Sequence, residues 1–234
     1  MTARYDAIII GTGQSGPALA RRLAASGRQV AIVERKRFGG TCVNNGCIPT
    51  KSLVASAHAA HVARRAADYG VVLDGSVRVD MKAVKARKDG IVSRSTQGVE
   101  RSLRNTEGVT VHVGHASFES ATRVRVGDDV LEAGQIFINV GGRAVVPSIP
   151  GIDTVPVLTN SSMMEVDYLP DHLVILGGSY IGLEFGQMYR RFGSEVTIVQ
   201  RNPYLIPRED EDASIAIREI LEGEGIRVLT DAAA

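Results

Sequence analysis

The chain has 234 residues, of which 44% are hydrophobic and 23% are charged. These values are typical of a globular protein with one large or two small domains, and they exclude a disordered chain. The 27 basic and 26 acidic side chains leave a net charge of +1. This balance gives no electrostatic reason to expect a nucleic acid or a membrane surface as a partner.

The early apolar run at Ala7–Ile10 ends at Gly11. It is too short for the core of a signal peptide or for a transmembrane helix, so we expect a cytoplasmic protein. Disulfide scaffolds are rare in that compartment. If Cys42 and Cys47 pair, a redox role is therefore favoured over a structural one.

The first two thirds of the chain predict a strand–turn–helix–strand unit followed by a cysteine-bearing loop, long helices and short strands. Apolar runs that end at glycine indicate strands, and a 3.6-residue apolar period indicates helices. In chain order we predict a strand at 6–10, a helix at 15–26, a strand at 29–34, a loop at 38–49, a helix at 50–67, a helix at 80–103 interrupted near Gly90, and strands at 109–113, 123–126, 130–132 and 135–140.

A proline-rich stretch at 147–156 predicts a linker. Beyond it we predict a strand at 172–176, a helix at 179–192, a strand at 195–199, a helix at 210–222 and a strand at 226–229. This second strand–turn–helix–strand unit repeats the first. We therefore predict an α/β fold with two Rossmann-like dinucleotide-binding modules, residues 1–152 with a small inserted β-meander and residues 153–234 as a truncated module.

The first glycine motif reads GTGQSG, with Gly11, Gly13 and Gly16 between a predicted strand and a predicted helix. The first glycine permits a tight turn, the second lets the backbone approach a pyrophosphate, and the third lets the helix pack on the strand. Glu34 follows at the end of the next strand, where a carboxylate can accept ribose hydroxyls. The motif predicts a dinucleotide site.

The second glycine motif reads GGSYIG and has Ser179 in place of its middle glycine, between Gly177 and Gly182. A small residue there still admits a phosphate, less closely. At the end of the next strand Gln200 and Arg201 stand where an acidic residue is expected. A neutral Gln can bond ribose and an Arg can pair with a 2′-phosphate, which favours NADPH over NADH.

The cysteines lie five positions apart. A regular helix would rotate them by about 140° and hold them too far apart for a bridge, but Gly46 and Pro49 predict a distorted turn that could join them. A thiol near a helix N-terminus and Lys51 has a lowered pKa, as disulfide exchange requires.

Two other interpretations of these cysteines stay open. They could be buried small apolar residues, or they could bind zinc together with His58 and His61, which lie three positions apart on a predicted helix. The preceding dinucleotide motif favours the redox interpretation.

Residues 39–51, GGTCVNNGCIPTK, resemble the motif of the flavin-dependent pyridine nucleotide–disulfide oxidoreductases, which include dihydrolipoamide dehydrogenase, glutathione reductase and mercuric reductase. The resemblance continues in 114–118, 139–143 and 178–184 and spans the whole chain. The sequence IPTK at 48–51 and residues 208–210 favour the branch that contains mercuric reductase.

The resemblance implies FAD as cofactor and NAD(P)H as co-substrate. The expected FAD contacts are Gly11, Gly13, Gly16 and Glu34 on the adenosine diphosphate half, Gly114 and His115 beside the adenine, Thr41, Cys42 and Lys51 at the isoalloxazine end, and Gly40 and Gly142 elsewhere on the cofactor. The expected contacts of the nicotinamide nucleotide are Gly177, Ser179, Gly182, Gln200 and Arg201.

The resemblance also implies a catalytic set. Cys47 would be the sulfur nearest the flavin and Cys42 the exchange thiol, while Lys51 and Glu184 would pair near flavin N5 and Tyr180 would gate the nicotinamide pocket. Electrons would pass from NAD(P)H through the flavin to the cysteine disulfide, and then to a disulfide, dithiol or metal-ion acceptor.

Members of that family are considerably longer than this chain. The remaining part is expected to carry a second FAD-contacting segment and an interface domain, so we expect a homodimer for a full-length version. We expect residues 1–234 alone to bind FAD weakly and to turn over little. The alternative interpretation is a non-catalytic truncated nucleotide-binding fragment.

Overall fold

The computed structural model describes residues 2–233 and has an α/β fold, as predicted. It divides into two compact units, each built from two chain segments. The first unit contains residues up to Pro49 and Asp89–Val145, and the second contains Thr50–Lys88 and residues from Val146 onward. The domain boundary at residue 152 stays a prediction. In the part of the chain described, no helix is both long enough and apolar enough to cross a bilayer.

Strands and helices alternate along the chain. The strands are β1 (Thr2–Ile10), β2 (Val30–Glu34), β3 (Val109–Val113), β4 (Ala116–Ser120), β5 (Arg123–Val126), β6 (Asp129–Ile138), β7 (His172–Leu176), β8 (Glu195–Val199) and β9 (Arg227–Leu229). The α-helices are α1 (Ser15–Ala25), α2 (Gly40–Asn44), α3 (Cys47–Arg64), α4 (Met81–Arg104), α5 (Tyr180–Phe192) and α6 (Glu211–Gly223). Short 3₁₀ turns lie at Ala66–Tyr69, Ile152–Thr154 and Ser162–Glu165.

The first unit is built on a sheet with the strand order β3-β2-β1-β6-β5-β4. The neighbours β3, β2, β1 and β6 are parallel, whereas β6, β5 and β4 form an antiparallel meander. The carboxyl ends of β1 and β2 therefore lie side by side, with Ile10 opposite Val33. In open parallel sheets this edge is where ligands bind.

The predicted apolar run Ala7–Ile10 is buried because both faces of the sheet are covered. Ile9 packs in a cluster with Ala20 of α1 and Leu103 of α4. Ile8 faces the other side and packs in a cluster with Leu131 of the meander. Burial on both faces explains why this strand reads as an uninterrupted apolar run rather than as an alternating one.

The second unit contains the parallel sheet β7-β8-β9. Helix α5 packs its apolar face into the core of this unit through Phe185, Met188, Tyr189 and Phe192, each at most 6% exposed. Burial raises the pKa of Tyr189 to about 12, so this side chain stays a neutral core residue. The packed helix holds its N-terminus at the carboxyl end of β7.

Several elements differ from the sequence-based expectation. The loop predicted at 38–49 contains the short helix α2, and β1 begins at Thr2 rather than at residue 6. Helix α3 begins at Cys47 rather than at residue 50, and α4 continues through Gly90 without interruption, because a single glycine costs a helix only about 1 kcal/mol. Two short strands were predicted where the structure has the continuous β6, which pairs with β1 along its length. Strand β4 was not predicted, since its residues are mostly exposed and polar.

Candidate functional site

The first glycine turn lies between β1 and α1 and leaves no room for a side chain at Gly11 or Gly16. A Cβ on Gly11, at φ +104°, would lie 2.2 Å from the carbonyl oxygen of Asn139, and one on Gly16 would lie 2.3 Å from the carbonyl oxygen of Gly11. Helix α1 has no side-chain cap at its N-terminus. Its first N–H groups and the positive end of its dipole therefore suit a phosphate.

A carboxylate stands beside this turn. Glu34, at the end of β2, accepts hydrogen bonds from the N–H of Thr12 at 3.2 Å, from the Thr12 hydroxyl at 2.5 Å and from the N–H of Lys36 at 3.0 Å. The N–H of Gly114 donates to the Glu34 carbonyl at 2.8 Å, which brings the exposed His115 next to the end of β2. The structure thus brings Glu34, Gly114 and His115 together.

The donors and acceptors of the first unit suit FAD. An uncapped helix N-terminus fits a pyrophosphate, and an adjacent carboxylate fits a ribose. Gly40 comes so close to the turn that a Cβ on it would lie 2.6 Å from Cα of Gly13. Thr41 follows on the exposed side of α2, and Gly142 is exposed with open space around its Cα. Cofactor roles for these residues stay predictions.

The two cysteines form a disulfide, with their Cα atoms 4.6 Å apart. Cys42 lies on α2 and Cys47 is the first residue of α3. Because the helical structure is interrupted between the two cysteines, the spacing of a regular helix does not apply. Gly46 permits this interruption because it has no side chain: a Cβ at this position would lie only 2.9 Å from the Thr41 carbonyl oxygen. Cys47 is exposed and Cys42 is half-buried, and accessible sulfurs are what disulfide exchange requires.

The zinc interpretation does not agree with this bond, because disulfide sulfurs are not thiolate ligands. The rings of His58 and His61 stack with centroids 6.5 Å apart. Burial and the nearby charge of Arg191 lower the pKa of His61. Among residues 2–233, no three His, Cys, Asp or Glu side chains are grouped so as to hold a metal ion.

The second glycine turn repeats the first in the second unit. Gly177 has φ +106°, and a Cβ on Gly182 would lie 2.4 Å from the Gly177 carbonyl oxygen. Ser179 precedes α5, and no side chain caps that helix. The N-terminus of α5 therefore also suits a phosphate. A nucleotide role for these three residues stays a prediction.

Gln200 occupies the place in the second unit that Glu34 occupies in the first. It is 6% exposed, and its Oε1 accepts the N–H of Gly178 at 3.2 Å while its Nε2 donates to the Tyr204 carbonyl at 3.1 Å. The amide thus fastens the loop after β8 to the glycine turn. Arg201 is exposed, so its guanidinium has access to a ligand at this edge.

Three further predicted site residues lie in the second unit. Lys51 of α3 forms an ion pair with Glu184 of α5, and both groups have access to solvent. The Tyr180 hydroxyl donates to the Glu209 carboxylate, and this hydrogen bond raises the pKa of the phenol. Sequence reasoning did not connect Glu209 with Tyr180, because no local signal links it to a tyrosine 29 positions earlier.

A basic groove also lies in this unit, where the carboxyl ends of α3, α5 and α6 meet. Arg64 donates to the carbonyls of Arg191 and Phe192, and Arg190 donates to the Glu224 carbonyl at 2.8 Å. Arg191 holds both carboxylate oxygens of Glu224, at 2.5 and 2.8 Å. These arginines stabilise the negative ends of the helices, and the groove is therefore explained by the fold.

Two strand-to-helix glycine turns, with a disulfide next to the first, are the features expected in a dinucleotide-dependent disulfide oxidoreductase. The chain belongs to the pyridine nucleotide-disulphide oxidoreductase family, whose family model matches residues 5–234. This match confirms the resemblance that the cysteine motif indicated.

Relatives of several names match nearly the whole chain. It is 37% identical to a dihydrolipoyl dehydrogenase of Acholeplasma laidlawii, over 99% of this chain and 70% of that protein. It is also 37% identical to the probable pyridine nucleotide-disulfide oxidoreductase RclA of Escherichia coli (98% and 49%) and to a mercuric reductase of Streptomyces lividans (97% and 48%). The solved Cu(II) complex of RclA superposes with a TM-score of 0.86 at 36% identity, over 99% of this chain and 50% of that one. The chain thus spans about half the length of most of these relatives.

Proposed function

We propose that this chain is the nucleotide-binding part of an FAD-dependent NAD(P)H oxidoreductase that reduces its own Cys42–Cys47 disulfide and then an external disulfide or metal ion. The observation that carries this proposal is the disulfide between α2 and α3, held next to the first glycine turn through the close approach of Gly40 to Gly13. A purely structural disulfide has no need of a dinucleotide site beside it.

In this proposal the first unit binds FAD and the second binds NAD(P)H. The first glycine turn and Glu34 bind the adenosine diphosphate half of FAD, and the second turn binds the pyrophosphate of NAD(P)H. When bound, FAD supplies the two-electron relay between nicotinamide and disulfide. Two electrons and two protons break the Cys42–Cys47 bond and yield two thiols. With a disulfide acceptor, exchange re-forms the Cys42–Cys47 bond and releases two thiols from the acceptor. With a metal ion, the same two electrons pass to the ion as the Cys42–Cys47 bond re-forms.

NADPH is the co-substrate that the second unit favours. Arg201 is exposed at the end of β8, where it can pair with a 2′-phosphate. The neighbouring Gln200 carries no charge that would repel this phosphate, and its amide is engaged by Gly178 and Tyr204. The preference therefore depends on Arg201 and on the neutral side chain at position 200.

Acceptor, assembly and location complete the proposal. Relatives named dihydrolipoyl dehydrogenase and mercuric reductase support the disulfide form of a small thiol compound or a metal ion as acceptor. The family resemblance implies a homodimer for a full-length version, and a cytoplasmic location stays the expectation from the sequence.

Thiol counting tests the central step. The air-oxidised full chain should show no reactive thiols. Because the chain is expected to bind FAD weakly, NADPH is added with FAD at saturating concentration, which should release two thiols per chain in a single slow reduction, while NADPH without FAD should release none. Cys42→Ser should leave one thiol that NADPH does not change. Two reactive thiols in the oxidised, folded protein, or no release with both nucleotides present, would contradict the proposed function.

A further inference from the structure

The side chain of Thr12 is completely buried at the centre of the first glycine turn. The motif places no chemical demand on this position, since only the three glycines and the distant acid are specified. Yet Thr12 makes three hydrogen bonds within the proposed FAD site. A buried hydroxyl with both its donor and its acceptor engaged is a fixed part of the structure.

The three bonds join separate pieces of the first unit. The Thr12 hydroxyl donates to Oε2 of Glu34 at 2.5 Å, and the Thr12 N–H donates to the same oxygen at 3.2 Å. The hydroxyl oxygen also accepts the buried N–H of Gly39 at 3.1 Å. One side chain therefore holds the carboxylate at the end of β2 and the residue that precedes the cysteine-bearing helix α2.

The second unit shows which part of this arrangement is special. There Gly178 occupies the corresponding position, and its N–H also donates to the side chain at the end of the next strand, Gln200. The backbone hydrogen bond is thus common to both turns. A side-chain hydroxyl at this position is present only in the first turn, because the second has Gly178 there. The hydroxyl adds one charge-assisted hydrogen bond to Glu34 and one acceptor for Gly39.

We propose that Thr12 is a positioning residue for FAD, a proposal that rests on the proposed function. Its hydroxyl fixes the Glu34 carboxylate in the orientation that receives the ribose hydroxyls, and it holds Gly39 so that Gly40 stays against Gly13. Binding then needs little reordering of the carboxylate or of the loop, and this preorganisation increases affinity.

Three substitutions separate the hydroxyl from the shape of the side chain. Thr12→Val keeps the branched shape but can neither donate to Glu34 nor accept from Gly39. Thr12→Ala also lacks the hydroxyl and adds no bulk, so it serves if the valine variant does not fold. Thr12→Ser retains both hydrogen bonds and is the matched rescue variant.

FAD binding to the full chain, titrated by flavin fluorescence, is the measurement. We expect Thr12→Val to raise the FAD dissociation constant about tenfold to a hundredfold, the equivalent of one hydrogen bond to a charged group, and Thr12→Ser to stay near the unmodified chain. In the Glu34→Gln background the valine substitution should cost less than it does alone, because the two residues act together.

Separate outcomes bear on the two proposals. If the unmodified chain does not bind FAD, the proposed function fails, and with it the role of Thr12. If it binds FAD and Thr12→Val binds equally well, the role of Thr12 alone is refuted. Equal losses in the serine and valine variants, or full additivity with Glu34→Gln, would also refute it, because a merely structural residue would give that pattern.

Discussion

The close approach between the glycine turn and helix α2 gives a prediction that is specific to this geometry. Gly40 has φ +61°, and a Cβ on it would lie 2.6 Å from Cα of Gly13. Because the obstacle is backbone, Gly40→Ala must push α2 away from the turn or distort the turn itself. We expect a loss of folding stability together with weaker FAD binding.

Gly127→Ala is a matched control. Gly127, in the turn between β5 and β6, has φ +60°, but nothing lies within 4 Å of a Cβ built on it. Both substitutions therefore incur the left-handed backbone cost of about 1–2 kcal/mol, and only Gly40→Ala adds an overlap, typically about 1–3 kcal/mol. We expect a total of about 2–5 kcal/mol for Gly40→Ala and about 1–2 kcal/mol for Gly127→Ala.

Urea unfolding of the two variants and of the unmodified chain gives these free energies by linear extrapolation, and fluorescence titration gives FAD affinity. Gly127→Ala should leave the FAD dissociation constant unchanged, since the added Cβ contacts neither the glycine turn nor Gly114. If both variants lose equal stability and bind FAD equally well, the close approach of α2 to the turn has no energetic consequence and the reasoning is wrong.

Three further outcomes are expected. Gln200→Glu should raise the ratio of the NADPH dissociation constant to the NADH dissociation constant by about tenfold or more, since a carboxylate binds ribose and repels a 2′-phosphate. An unchanged ratio in titrations with both nucleotides would contradict the role of this position. Burial alone would raise the pKa of Glu224, but hydrogen bonding and the charge of Arg191 outweigh it and lower the pKa. The stabilisation by Glu224 is therefore full above its unfolded-state pKa and is lost as pH falls through the lower folded-state pKa. Glu224→Gln should lower the free energy of unfolding by about 1–3 kcal/mol at neutral pH. It should also make stability depend less on pH below about pH 5. Lys51→Met should slow flavin reduction by NADPH about tenfold in stopped-flow traces, because it removes the ammonium group that the resemblance places near flavin N5. Glu184→Gln should slow it less, because it leaves the Lys51 ammonium group in place.

The fold class and the ligand-binding turns could be predicted because their signals are local. Ala7–Ile10 reads as a strand buried on both faces, and the glycines that follow are required by steric limits within a few residues. The cysteine pair also had a local signal, since Gly46 interrupts the helical structure between the two cysteines. Where local signals were weak, as in the exposed strand β4 and at the start of α3, the prediction was wrong.

Other properties depend on contacts between residues far apart in sequence. The carboxylate of Glu34 is oriented by a threonine 22 positions earlier, and the hydroxyl of Tyr180 is held by Glu209, 29 positions later. Gln200 looked like a free ribose ligand, but the tertiary structure buries its amide between a turn and a loop. Sequence alone determined which residue types stand at the strand ends. Only the tertiary structure decided which polar groups remain available to a ligand, because hydrogen bonding and burial are properties of the packed chain and not of the residue.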